Sequence, residues 1–188
     1  MSYAIIAFNL AALAGLLITI VLGYALGAKV GEAAGTGGDL VAAAIALGFR
    51  RHFLLGLSST LVALFAQSMI FFYFIGTGIS IKKAVSLYNL DRQVLGRVRE
   101  FKQRTSGIAS LAILLIMAAF VLGGGVAARA VPAWAHHLTA WAAFAAHGLS
   151  TWRGTGAILD NVGLLAELDR RVVGMAARGE VEVRRTVV

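Results

Sequence analysis

Histidine is the residue type with the clearest capacity for chemistry in this chain. Because the chain has no cysteine, imidazole is its strongest soft-to-borderline metal ligand. His52 follows two arginines, His136 and His137 are adjacent, and His147 lies ten residues beyond His137. A metal site is therefore a hypothesis for His52, His136 and His137. A b-type haem or a quinone is a second hypothesis, with His52, His137 and His147 as the contacting residues.

Each histidine also has a simpler interpretation, which we favour. His52 beside two arginines is typical of a membrane interface, and His136 and His137 lie between Trp134 and Trp141, the residue type of an interfacial aromatic belt. For His147, within an apolar run, we favour a hydrogen bond between helices over a role as haem ligand, proton relay or quinone partner.

No other residue pattern indicates catalysis. The sequence contains no arrangement typical of a nucleophile triad, of paired catalytic carboxylates or of a metal hydrolase. The apolar runs contain no acidic residue, which argues against an ion-driven pump and makes a small transporter or channel the third choice. We therefore predict a protein that is not an enzyme.

The composition indicates that lipid surrounds most of the chain. Hydrophobic residues make up 59% and charged residues 14% of the 188 residues, against roughly 45–50% and 25% in soluble proteins. Four apolar runs, at residues 3–26, 53–75, 108–126 and 133–152, are each long enough to cross a bilayer core of about 30 Å as a helix. A glycine-rich loop and a short helix over 40–49, capped by Asp39, are expected before the second run.

A repeated phrase organises the four runs into two pairs. Residues 76–98 and 154–176 share nine identities in 23 positions at an offset of 78, where ordinary composition gives roughly one or two. A weaker match at an offset of 100 relates residues 21–23 to residues 121–123. The repeat predicts an all-α membrane protein with four transmembrane helices in a 2+2 parallel internal repeat.

The two units are expected at residues 1–106 and 107–188. At the offset of 78 no histidine is repeated, which argues against a symmetric protein with two cofactors and leaves open an asymmetric site in one half. Each unit ends in an amphipathic cytoplasmic helix that prolongs its second span. Its opening Gly-Thr-Gly could bind a lipid phosphate, but we favour a hinge at the membrane surface, and in Leu-Asp-Arg the acid, Asp91 or Asp169, is expected to start a turn.

The basic residues predict orientation and a lipid partner. Seven Lys or Arg lie between the second and third runs and six follow the fourth, against three and one in the other two connections. By the positive-inside rule both termini are cytoplasmic in a bacterial-type inner membrane. Net charge of +8 beside apolar runs favours anionic headgroups over nucleic acid. The residues expected to contact these headgroups are Lys82, Lys83, Arg92, Arg97 and Arg99.

Small residues in every predicted span favour tight helix packing. The function predicted from the sequence is that of a structural or accessory subunit, which packs into a homo-oligomer or a larger membrane complex. The contrasting prediction is a redox subunit that holds haem b or a quinone through its histidines.

Overall fold

A computed structural model describes residues 2–33 and 38–181. It contains four helices: α1 (Ser2–Ala33), α2 (Asp39–Leu87), α3 (Gln93–Ala127) and α4 (Ala133–Ala177). Within these residues the fold is all-α, with no strand.

The helices form an antiparallel bundle in which consecutive helices are neighbours. α3 packs most extensively against α4 and α1 against α2, and the contacts of α2 with α3 and of α1 with α4 complete the ring. α2 and α4 are diagonal to each other and make few contacts, while α1 and α3 do not meet within the described residues. The four helices therefore surround a common interior, across which α1 is opposite α3 and α2 is opposite α4.

Two of the connections explain why the helices end where they do. α2 stops at Leu87, and Asn89 adopts a positive φ of 48°, a conformation that asparagine tolerates better than most residues. Asp91 Oδ1 then accepts a hydrogen bond of 2.8 Å from the amide of Gln93 at the start of α3. The predicted turn at Asp91 is thus confirmed. Pro132 precedes α4, where it lacks only an amide that a helix would leave unpaired.

Several predicted boundaries are wrong because the helices run on without interruption. The expected short helix at 40–49 is the first part of α2, with Gly38 rather than Asp39 at the capping position. Residues 76–78 and 154–156 lie inside α2 and α4, so neither Gly-Thr-Gly is a break, and its amides are used within a helix. Asp169 is also helical and starts no turn.

At the end of the bundle where α1 begins, the other three helices extend beyond it, whereas the sequence predicts two helical extensions. The C-terminal part of α2, the N-terminal part of α3 and the C-terminal part of α4 enclose one apolar core there, which includes Ile81, Val85, Val94, Phe101, Leu164 and Leu168. We call this end of the bundle the basic end. At the opposite end α1 stops, α2 begins and the α3–α4 connection lies, and we call it the histidine end.

Three of the helices are long and apolar enough to cross a membrane: Ser2–Val30, Ala42–Leu87 and Gln93–Ala127. The fourth predicted span, residues 133–152 of α4, does not reach the same hydropathy. His136, His137 and His147 interrupt its apolar residues, which accounts for the difference.

Candidate functional site

A cluster of polar side chains lies in the middle of the bundle. Asn9 on α1, Gln67 on α2, and His147 and Ser150 on α4 are each exposed by 2% or less. We call these four residues the central polar cluster. They meet because each replaces an apolar residue on the inward face of its helix, and burial of such groups is tolerated only when they are hydrogen-bonded.

Hydrogen bonds join the members of the cluster across three helices. Gln67 Nε2 donates to Asn9 Oδ1 at 3.3 Å and to His147 Nδ1 at 2.8 Å. Ser150 Oγ donates to Gln67 Oε1 at 2.7 Å. Asn9 Nδ2 donates to the carbonyls of Ile5 and Ala66. Within the part of the chain that the structure describes, every side-chain nitrogen and oxygen of the cluster has a partner.

The contacts of His147 define its tautomer. Its Nε2 lies 3.2 Å from the carbonyl oxygen of Asn9, which can only accept, so Nε2 carries the proton. Its Nδ1 is therefore the acceptor for Gln67. With both nitrogens engaged, His147 matches the favoured prediction of a hydrogen bond between helices, and it offers no free nitrogen to a haem.

A cavity of about 900 Å³ occupies the histidine end, and we call it the histidine cavity. All four helices line it, mostly with apolar side chains such as Leu16, Ile116 and Phe120. Among its few polar residues are all three of the remaining histidines, His52, His136 and His137. The structure thus brings these three together, as the spacing indicates, and leaves His147 with the central polar cluster.

His52 on α2 and His136 on α4 each lie against a glycine of the preceding helix. The His52 ring lies against Gly23, so close that a Cβ atom on Gly23 would be 2.9 Å from Cε1. The His136 ring lies against Gly123, where the same distance would be 3.1 Å. Gly23 and Gly123 are the pair matched at the offset of 100, so the two units share a similar contact between a glycine and a histidine. His52 and His136 are 84 positions apart, so the offset of 78 does not align them.

The ring nitrogens of these histidines differ in their contacts. His136 Nδ1 lies 2.9 Å from the carbonyl oxygen of Ala119. The backbone of Thr19 is near His52, but Nδ1 of His52 is buried and has no hydrogen-bond partner among the described residues. His137 instead faces Tyr24, with ring centroids 4.6 Å apart.

Imidazoles are close together in the cavity, but they do not form a complete ion site. The ring centroids are 6.4 Å apart for His52 and His136 and 5.8 Å apart for His136 and His137. Over residues 2–33 and 38–181, no three His, Asp or Glu side chains are arranged to hold a metal ion. The predicted three-histidine metal site therefore gains no support from this geometry.

The side chains predicted to contact lipid headgroups are exposed at the basic end. Lys82, Lys83, Arg92 and Arg99 are exposed, and so is Arg97, which forms an ion pair of 2.9 Å with Glu167 of α4. The hydrogen bond from Arg97, together with the nearby charge of Arg171, holds the pKa of Glu167 below its usual value. A row of cations thus remains on the surface after this pairing.

A second buried polar pair was not anticipated from the sequence. Asn161 of α4 is fully buried, and its Nδ2 donates to the Tyr73 hydroxyl of α2 at 3.1 Å. Its Oδ1 has no partner within the described residues. The sequence does contain a signal for it: Asn161 lies on the same helix face as the apolar Ile158, one turn before it, and Leu165, one turn after it.

The comparisons with known proteins identify no relative. No family model, curated protein or solved structure matches this chain.

Proposed function

We propose that this chain is an integral membrane protein in which all four helices cross the bilayer. The support for α4 is its place in the bundle. His147 contacts the Asn9 carbonyl of α1 and His136 contacts the Ala119 carbonyl of α3, both within apolar segments of those helices. Its outward face carries Trp134, Leu138 and Trp152, which are 68%, 64% and 76% exposed. Such exposure is costly in water and ordinary in lipid.

We further propose that the four spans form a 2+2 parallel repeat. Buried residues of α1 and α3 correspond at an offset of 100, as Asn9 does with Ala109 and Ala12 with Ala112. Those of α2 and α4 correspond at an offset of 80, as Ala63 does with Ala143. At this offset Gln67 corresponds to His147, whereas Ser150 corresponds to the apolar Ile70, so the central polar cluster itself is not repeated. The matching burial of α1 and α3, together with the phrase repeated at an offset of 78, supports a duplicated two-helix unit.

The orientation that we propose has the basic end in the cytoplasm of a bacterial-type cell, with both termini inside. Exposed lysines and arginines at this end support contact with anionic headgroups.

The function that the geometry supports best is non-enzymatic: a structural or accessory subunit that packs in a membrane complex or a homo-oligomer. The observation that carries this proposal is the closed hydrogen-bonding of the central polar cluster. Its polar atoms are used to hold α1, α2 and α4 together, so the bundle interior serves packing. Small exposed residues on α4, Ala142 and Ala145, offer a surface on which another helix can approach closely.

A mass measurement tests this proposal. We expect the purified protein in lipid nanodiscs or mild detergent to show a defined homo-oligomer, or a membrane partner in fixed stoichiometry, by native mass spectrometry. Ala145→Phe should shift the assembly toward the monomer, whereas Ala11→Phe, an exposed alanine of α1, serves as the matched control. A strictly monomeric wild-type protein without a partner would overturn the packing role.

A second candidate function is that of a membrane redox subunit holding haem b or a quinone. The histidine cavity favours it, since it combines an apolar lining with three imidazoles.

A further inference from the structure

Two histidines of the histidine cavity, His52 and His136, have the environment of metal-ligating imidazoles. A backbone carbonyl can only accept, so His136 Nδ1, 2.9 Å from the Ala119 oxygen, carries the proton and Nε2 is free to ligate. Ligating histidines commonly donate their other N–H to a carbonyl, which fixes the ring. His52 lies near the backbone of Thr19.

The separation of the two rings fits two ligands on opposite sides of one metal. Two metal–nitrogen bonds of about 2.0–2.1 Å and two ring radii of about 1.1 Å put the centroids of such imidazoles about 6.3 Å apart. The centroids of His52 and His136 are 6.4 Å apart. Their planes differ by 83°, which this arrangement allows because each ring can rotate about its own metal–nitrogen bond. The two rings come from α2 and α4, the diagonal helices of the bundle, and both line the histidine cavity.

The surroundings favour a haem over a bare ion. Two imidazoles alone leave an ion under-coordinated, and no third ligand completes the set within the described residues. A porphyrin brings four equatorial nitrogens of its own and needs only axial ligands from the protein. The cavity of about 900 Å³ lies at the upper end of the usual range for small-molecule sites and is mostly apolar. Gly23 and Gly123 keep the flanking helices close to the rings without filling the space beside them.

We propose that the histidine cavity binds one b-type haem, with His52 and His136 as axial ligands through Nε2. In this complex Nδ1 of His52 donates to the Thr19 carbonyl, which provides the partner that this buried nitrogen lacks. Arg51, next to His52, and Arg129, at the end of α3, are exposed cations at the same end and suit the two propionates. His137 and His147 are not ligands. This site goes beyond the packing role and does not depend on it.

Reconstitution with hemin tests the site. Protein in nanodiscs should bind hemin at one per chain and give the spectrum of a low-spin, six-coordinate haem, with a Soret band and sharp α and β bands on reduction. His52→Ala and His136→Ala should each abolish the low-spin spectrum, and added imidazole should restore it. His137→Ala removes a ring that lines the cavity without being a ligand, so it should keep the low-spin, six-coordinate spectrum even if hemin binds less tightly.

A second variant separates ligation from folding. His136→Met should keep a six-coordinate haem and raise its reduction potential, an effect that a merely structural histidine would not produce. Helix content and oligomer mass, measured on every variant, report the packing role independently. A protein that stays colourless with hemin, a low-spin spectrum that survives both alanine substitutions, or recovery of a quinone in place of haem would each overturn the proposal.

Discussion

The chemical capacity of a histidine in this bundle depends on which of its nitrogens are already bonded. His147 uses both, one as donor to Asn9 and one as acceptor from Gln67, and so acts as a link between helices. His136 uses only Nδ1, which leaves Nε2 for a ligand. The same residue type on one helix therefore joins helices in the centre and keeps one nitrogen without a protein partner among the described residues at the end.

The central polar cluster should be sensitive to the loss of a single donor. Ser150→Ala removes the hydrogen bond to Gln67 Oε1 and leaves that buried oxygen unpaired. We expect a loss of about 1 kcal/mol in unfolding free energy, a typical cost for a hydrogen bond between helices in a membrane. Thermal unfolding in detergent measures it. Ser68→Ala is the control, because the Ser68 hydroxyl bonds only the Leu64 carbonyl of its own helix; equal losses in the two variants would contradict the role of the cluster.

The sequence predicts that His52, His136 and His137 lie at one end, because each is found near the end of an apolar run. It does not predict which of the adjacent pair matches His52. Successive residues on a helix point about 100° apart, so the choice between His136 and His137 depends on the rotation of α4. That rotation is set by packing on Gly123, a contact between residues 13 positions apart that helical periodicity alone does not show.

At the scale of the helix, the two copies of the Leu-Asp-Arg phrase differ in structure. A helix ends just before the first copy and continues through the second, and the residues that precede the phrase account for this difference. The first copy has Asn89, which adopts the positive φ that ends α2. The second has Glu167 at the matching position, and α4 continues past it. Glutamate avoids that conformation and favours helix, and its carboxylate bonds Arg97 and Arg171. Nine identities in 23 positions thus predict two similar structures, but the residues that differ, Asn89 against Glu167 among them, favour a helix end in one copy and a continuous helix in the other.

The ion pair of Glu167 with Arg97 should stabilise the basic end in a pH-dependent way. Since the pKa of Glu167 is lowered in the folded state, its contribution is complete above the usual carboxyl pKa and is lost as the pH falls through the folded value. We expect Glu167→Gln to lower the unfolding temperature slightly at pH 7, with the difference from the wild type vanishing in acid and in high salt. Thermal scans over a pH series measure it, and a difference that persists in strong acid would contradict this origin.

The continuity of α4 through its Gly-Thr-Gly predicts the effect of a methyl group there. Among the described residues nothing lies within 4 Å of a Cβ added at Gly156, so Gly156→Ala should stabilise the helix by about 0.5–1 kcal/mol. Gly15→Ala is the matched contrast, because its Cβ would meet Ser59 Oγ at 2.8 Å and should destabilise the α1–α2 contact. Unfolding midpoints compare the two variants. If Gly156→Ala were destabilised, the interpretation of this Gly-Thr-Gly as a hinge would be supported instead.

At the scale of the whole molecule, the helical class and three of the apolar helices follow from composition and periodicity alone. For α4, predicted as a fourth span from residues 133–152, hydropathy gives a weaker signal, because its histidines lower its mean hydropathy while they make contacts inside the bundle. Hydropathy measures the affinity of a segment for lipid, and a helix whose polar side chains all face a protein interior can still be surrounded by lipid on its other side.

The proposed orientation can be tested on the two ends of α3, since the chain contains no native cysteine. Lys102 is exposed near the basic end and Arg129 just beyond the histidine end. We expect Lys102→Cys to react with an impermeant maleimide only after cells are permeabilised, and Arg129→Cys to react in intact cells, because cytoplasmic ends carry the excess of lysine and arginine. The reverse pattern would invert the orientation. Labelling of both positions from one side would show that α3 does not cross the membrane, and the four-span arrangement would then fail with it.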